Sequence, residues 1–158
     1  MKNRKIGLTI GKFAPLHKGH EYLINTALKE MDELYIIIYK TDIIDVSVEK
    51  RANWIRKLYP KINIIYALNA PKKYGMDKES IDLQTKYIKE KIEGIRITHF
   101  YSSEEYGKYV AEALKCIDRR VDNLRKVIPI NAGKIRENLE KYKEFLSDLV
   151  YEDIINLR

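Results

Sequence analysis

The sequence has one cysteine, Cys116, in 158 residues. An internal disulfide is therefore excluded, and a reducing cytoplasmic setting is expected. Cys116 sits among Leu114, Ile117 and other apolar residues, which points to a buried structural thiol rather than a nucleophile. Long apolar runs are also missing. The longest have the length of strands, far short of the ~20 residues a spanning helix needs. The start, Met1-Lys2-Asn3-Arg4-Lys5, is basic, but a strand and a histidine motif follow it rather than the apolar core of a signal peptide. No membrane association is expected. Internal repeats, linkers and low-complexity segments are absent, and the length suits one domain over residues 1–158 with a substantial core. Charge is not segregated either. The 30 Lys and Arg outnumber 23 Asp and Glu, giving a net charge of +7, but acids are interleaved, as in Glu30-Met31-Asp32-Glu33. With no basic block and no aromatic-glycine signature, nucleic acid is disfavoured as a partner. The positive excess suits anionic nucleotides, and a Lys-, Ile-, Asn- and Tyr-rich composition also produces it without any partner.

What is present is an alternation of strands and helices. Apolar runs predict strands over 4–10, 34–39, 62–67, 96–101 and 127–130. The run Leu34-Tyr35-Ile36-Ile37-Ile38-Tyr39 is apolar on both faces, which marks a central parallel strand covered on each side. Helical periodicity predicts helices over 19–31, 48–59, 78–92 and 104–114. Pro60 stops the second, and Gly94 marks the end of the third. From Lys134 onward Ile135, Leu139, Tyr142, Leu146 and Leu149 give a helical tail of one bent helix or two. The expected class is α/β, with an open parallel sheet of about five strands, helices on both faces and right-handed crossovers.

Two of the three histidines, His17 and His20, lie in one loop between the first strand and first helix. Such a junction sits at the carboxyl end of a strand, where ligands bind in open sheets. A helix N-terminus offers free N–H groups and a positive dipole end, both suited to phosphate. Two imidazoles there can donate to non-bridging phosphate oxygens as charge builds in a transition state. Gly19 lets a polyphosphate approach the backbone, Lys12 adds a point charge, and Pro15 stiffens the loop. Taken alone, a His-x-x-His pair is a turn with surface histidines; here glycines, proline and strand–helix context coincide.

A second constellation repeats the strand–helix arrangement at Ile130-Asn131-Ala132-Gly133-Lys134-Ile135-Arg136. Asn131 is an N-cap, and Gly133 removes bulk. Lys134 and Arg136 place cations at a helix start, which the dipole opposes unless an anion binds between them. A solvated basic helix face is the plainer reading. Ser102 and Ser103 end the fourth strand at the same edge, where they face a nucleoside or form a local turn. His99 reads as a packed histidine, and Trp54 as core before site. Tyr74, in the Pro- and Gly-containing loop over 68–77, is a surface tyrosine or a stacking ring. Arg51 pairs at the surface with Glu49 or Asp45.

Gly11-Lys12-Phe13-x-Pro15-Leu16-His17-x-Gly19-His20 resembles the first signature of the nucleotidyltransferase superfamily with the His-x-Gly-His motif. The resemblance implies a Rossmann-like fold and transfer of a nucleotide from a nucleoside triphosphate to a phosphorylated acceptor, with release of pyrophosphate. The second signature of that family, Ile-Ser-Ser/Ala/Gly-Thr-x-Ile-Arg, aligns with Ile130 to Arg136, with Asn131 in place of Ser and Gly133 in place of Thr. The lead-in Asp122-x-x-Arg125-Lys126-x-x-Pro129 is similar to the nicotinamide-mononucleotide adenylyltransferase domain of bifunctional bacterial NAD-biosynthesis proteins. So are Ser47-Val48-x-x-Arg51-x-x-Trp54 and Ser102-Ser103-Glu104-x-Tyr106-Gly107.

The resemblance implies that His17, His20, Lys12 and Arg136 act on the triphosphate. Gly11, Phe13, Gly19, Ser102, Ser103, Asn131, Ala132, Gly133 and Lys134 would hold the nucleotide, and Tyr74, Trp54 and Arg51 the acceptor. It implies ATP and nicotinamide mononucleotide as substrates. Mg²⁺ would be bound mostly by phosphate and water, with no protein metal ligand. The kinase glycine loop of the bifunctional proteins is not in the sequence, so kinase activity is not expected. The cytidylyltransferase signature Arg-Thr-Glu-Gly-Ile-Ser-Thr is missing too. Other members of the superfamily, a non-catalytic nucleotide sensor and a basic nucleic-acid adaptor remain as alternatives, and a homo-oligomer is left open.

Overall fold

A strand whose faces are both apolar can rest only inside a sheet covered on each side. In the computed structural model, which describes residues 3–157, five parallel strands form one sheet. They are β1 (Ile6–Gly11), β2 (Glu33–Tyr39), β3 (Asn63–Ala67), β4 (His99–Ser102) and β5 (Ile117–Arg120). Their order is β3-β2-β1-β4-β5, so β1 is central and β2 inside. In register, Gly11 lies beside Ile38, and Tyr39 beside Ala67.

The helices are α1 (Lys18–Glu30), α2 (Val48–Leu58), α3 (Lys78–Lys91), α4 (Gly107–Leu114), α5 (Ala132–Glu137) and α6 (Asp148–Asn156). Alternation along the strands divides the core. Leu34, Ile36, Ile38 and Tyr101 pack with residues of α1, α2, α5 and α6. On the other face Ile37, Tyr39 and Phe100 pack with residues of α3 and α4. Among the described residues no helix is long and apolar enough to cross a membrane.

Two expectations are corrected, the place of the fifth strand and the burial of Cys116, while the tail takes one of the two arrangements expected of it. The apolar residues 127–130 form no strand; their chain wraps around Asp122, whose carboxylate accepts from the backbone N–H groups of Lys126, Val127 and Ile128 at 2.8–2.9 Å. The fifth strand is instead Ile117-Asp118-Arg119-Arg120, an edge strand whose charges hide it from an apolar search. The tail is two helices, α5 and α6, separated by a 3₁₀ turn at Lys143–Phe145. Cys116 is half-buried rather than buried; burial, then Asp118, pushes its thiol up to about 11, so it stays protonated and unreactive at neutral pH. His99, half-buried at the first residue of β4, bonds Thr98 Oγ1 through Nδ1 at 2.8 Å.

Candidate active site

The centre of the site is the junction between β1 and α1. His17 is the N-cap of α1. Its Nδ1 accepts from the backbone N–H groups of Gly19 and His20, at 3.0 and 3.4 Å. His20 Nδ1 in turn accepts from the backbone N–H of His17, at 3.1 Å. The two imidazoles thus form a reciprocal capping box, a task usually given to Ser/Thr and Glu. A ring nitrogen that accepts an N–H carries no proton, so each neutral ring holds its hydrogen on Nε2. The rings stack with centroids 3.7 Å apart. Burial, then Arg125, lowers the pKa of His17 to about 3. Burial, then His17 and Arg125, lowers that of His20 well below its ordinary value. Both are neutral donors at pH 7, each with one free N–H.

Gly19 serves this arrangement directly. A Cβ there would lie 2.8 Å from His17 Cε1, so the close approach that requires glycine is to the capping ring. Phe13, at φ 48°, lays its ring 4.7 Å from His20, and Gly11 leaves room for that ring.

The second constellation is tied to the first. Asn131 Oδ1 accepts from the backbone N–H of Lys134 at 3.0 Å and caps α5. Arg136 Nη1 donates to the Ala14 carbonyl at 2.7 Å, across the mouth of the histidine loop. Arg125 donates to Ile130 O at 3.1 Å and to Glu104 Oε1 at 3.2 Å.

A cavity of about 650 Å³ opens over these groups. It brings together Gly11, Lys12, Phe13, His17, Gly19 and His20 from the first motif, Ser102 and Ser103 from β4, Asn131, Ala132 and Arg136 from the second motif, and Tyr74. The Lys12 ammonium lies 5.3 Å from the centroid of the Tyr74 ring. The serines turn their hydroxyls into the fold: Ser102 donates to Glu104 O and Ser103 to Val121 O. Gly133 and the exposed Lys134 are not part of the lining.

Trp54 and Arg51 lie outside the cavity as well. Trp54 is buried against the C-terminal helix, where its Nε1 donates to Asp153 at 2.8 Å. Arg51 pairs with neither Glu49 nor Asp45. It is fully buried beneath the first motif, and its guanidinium donates to the carbonyls of Val46, Tyr39 and Lys12. The turn between β2 and α2 leaves the carbonyls of Tyr39 and Val46 to be satisfied, the first motif that of Lys12, and one fork reaches all three.

Three of the lining residues that sequence reasoning missed carry polar groups into the site. Arg125 stood in the lead-in to the second motif without a stated role. Glu104 followed the serines. Tyr39 was hidden as the last apolar residue of β2.

Among the described residues no three His, Cys, Asp or Glu side chains come together in a way that could hold a metal ion. A divalent cation would then enter with the nucleotide, held by phosphate oxygens and water.

A family model described as the citrate lyase ligase C-terminal domain matches residues 9–141. The chain is 32% identical to the trifunctional NAD biosynthesis/regulator protein NadR of Salmonella typhimurium, and 33% identical to that of Escherichia coli. Each match covers 92% of this chain and 39% of the relative, so the chain spans about two fifths of the length of these curated relatives. Among solved structures it is similar to NadR protein in complex with NAD and AMP-PNP, with a TM-score of 0.64 and 21% identity, over 93% of this chain and 46% of that one. It is similar too to a bifunctional NMN adenylyltransferase/ADP ribose pyrophosphatase from Francisella tularensis complexed with AMP and a manganese ion. There the TM-score is 0.63 and the identity 20%, over 98% of this chain and 52% of that one. At such identities the likeness is one of fold, and it gives the sheet described above its type, a Rossmann-like nucleotidyltransferase fold.

Proposed function

This chain belongs to the citrate lyase ligase C-terminal domain family, and on that premise we propose that it transfers AMP from ATP to nicotinamide mononucleotide, giving NAD and pyrophosphate. The observation that carries the reading is the imidazole pair. Both Nδ1 atoms are consumed in the capping box, so two Nε2–H donors remain at a helix N-terminus, inside a cavity that also holds Arg136. Neutral donors fixed by backbone bonds need no reorganisation when charge develops on phosphate oxygens. Relatives whose names place them in NAD biosynthesis support the choice of acceptor.

The triphosphate lies over the residues from Gly11 to His20, with Lys12, Arg125 and Arg136 around it. An oxygen of the acceptor's 5′-phosphate attacks the α-phosphorus in line. The new P–O bond forms as the α–β bridge breaks, and pyrophosphate leaves with the bonding pair. The acceptor phosphate is already ionised at neutral pH, so no general base is required. Rate comes from positioning and from stabilising charge on the oxygens. Tyr74 lines the cavity, where it can stack on the acceptor ring, and Ser102 and Ser103 line it from the end of β4.

The donor and acceptor are tested together by following pyrophosphate release with Mg-ATP or Mg-CTP against a panel of phosphorylated acceptors, including nicotinamide and nicotinate mononucleotides, with the dinucleotide product identified in each case. The reading requires product with ATP and nicotinamide mononucleotide. Turnover with CTP or with another acceptor alone would keep the mechanism and replace the substrates. Nucleotide binding without any turnover would establish the sensor alternative.

A further inference from the structure

The side of the cavity under α3 and α4 carries a hydroxyl that the fold leaves unused. Tyr39 closes β2, is only 6% exposed, and lines the cavity. Its Oη has no hydrogen-bond partner among the described residues. A buried hydroxyl left unmade costs about 1–3 kcal/mol, and folds rarely keep one idle. Neighbouring polar groups are committed elsewhere. Tyr87 Oη donates to Asn69 Oδ1 at 3.0 Å, and Thr85 Oγ1 to the Ile81 carbonyl at 2.8 Å. Gln84 Nε2 donates to the carbonyls of Pro71 and Lys73.

This wall also lacks formal charge. Ile81, Gln84, Thr85, Ile88 and Val110 build it around Tyr39. The cations of the cavity, Lys12, Arg125 and Arg136, belong to the two nucleotide motifs and the lead-in, and Glu104 is paired with Arg125. Burial, then Tyr87 and Tyr74, raises the Tyr39 phenol above its ordinary value, so it remains a neutral donor throughout the working pH range.

We infer that Tyr39 is a specificity-determining residue for the acceptor, its O–H donating to the carbonyl oxygen of an uncharged carboxamide while the uncharged wall disfavours the matching carboxylate. The inference rests on the reading above that the acceptor is a pyridine mononucleotide. A carboxylate on this wall loses its water and gains one phenol donor, with no cation among the residues that build the wall and the Lys12 ammonium held over the Tyr74 ring, whereas an amide loses far less on transfer. A site that pairs a buried group with its ligand discriminates strongly against a ligand that leaves the group unpaired.

Tyr39→Phe removes Oη alone. Calorimetric titration of wild type and variant with nicotinamide mononucleotide, nicotinate mononucleotide and ATP tests the role without requiring turnover. The wild type binds the amide more tightly than the acid. The variant raises the dissociation constant of the amide about tenfold, the loss of one net hydrogen bond. Its ATP affinity is unchanged, and its melting temperature is equal or higher because an unsatisfied hydroxyl is gone. An unmoved amide affinity in Tyr39→Phe overturns the role, and so does tighter binding of the acid by the wild type. Pyrophosphate release is read separately. If it is absent while the binding discrimination holds, adenylyl transfer is lost as the function and the role of Tyr39 stands.

Discussion

His17 and His20 spend one nitrogen each on the backbone of α1, and that choice makes them sensitive to acid. The fold holds both imidazoles neutral, while in the unfolded chain each binds a proton below about pH 6.5. The unfolded state then carries more protons, so stability is full above pH 6.5 and falls as the pH drops toward about 3. Urea unfolding at about pH 7 and about pH 5 measures the slope. A His17→Asn variant, which keeps an acceptor at the N-cap but cannot titrate, has a smaller loss between the two conditions. An equal loss in both proteins would contradict the assignment of neutral, capping histidines.

Arg51 belongs to the same scale. Replacing it with Met leaves three carbonyls without their donor, one of them the carbonyl of Lys12 in the first motif. We expect a stability loss of about 2–4 kcal/mol by urea unfolding. The Michaelis constant for ATP rises with it, because the loop that carries Lys12 is no longer pinned. A large stability loss with an unchanged Michaelis constant would mark Arg51 as purely structural. The histidines were legible in the sequence because their spacing, glycine and strand–helix context all sit within ten residues. Arg51 and Tyr39 were not, because their roles depend on contacts between β2, α2 and a loop far from them in sequence.

Between elements, the connection from β5 to α5 shows how apolar pattern and backbone bonding compete. The run Val127-Ile128-Pro129-Ile130 has the composition of a strand, but one carboxylate, Asp122, captures three of the N–H groups nearby that a sheet would need. Meanwhile Ile117-Asp118-Arg119-Arg120 pairs with β4 although charges fill it. Arg119 reaches Glu30 and Arg120 reaches Glu105. The inner strands were legible because burial on both faces writes itself into the residues; the edge strand is defined by its neighbour.

The helix start at α5 carries a prediction of its own. A Cβ on Gly133 would lie 3.2 Å from Asn131 Oδ1, so the two departures from the family signature are linked in space. Gly133→Thr alone crowds the Asn131 cap. Asn131→Ser together with Gly133→Thr removes that crowding, keeps a capping oxygen, and restores the two hydroxyls of the family signature at the start of α5. We expect the double variant to exceed the wild type in turnover and the single Gly133→Thr to fall below it, a coupling that a double-mutant cycle reads directly. Additive effects would show that the two positions act independently and that the lineage has compensated elsewhere.

Across the whole molecule, one cavity gathers segments from Gly11 to Arg136, and the parallel order β3-β2-β1-β4-β5 is what brings them to one edge. The α/β class, the strand–helix alternation and the two motifs at the carboxyl edge were all legible in the sequence. The depth of the cavity and its uncharged wall were not, since they arise from how α3 and α4 close over β2. The family membership fixes the fold type, and the chemistry proposed for it depends on the two Nε2–H donors.

That dependence is tested most directly by pyrophosphate release from Mg-ATP and nicotinamide mononucleotide, measured for the wild type beside His20→Ala. Loss of one preorganised donor costs about 10²–10³ in turnover. The account predicts release by the wild type, a drop of that size in the variant, and a cooperative unfolding transition retained in both. Equal turnover in wild type and His20→Ala would contradict it, and would remove the imidazole pair from the mechanism.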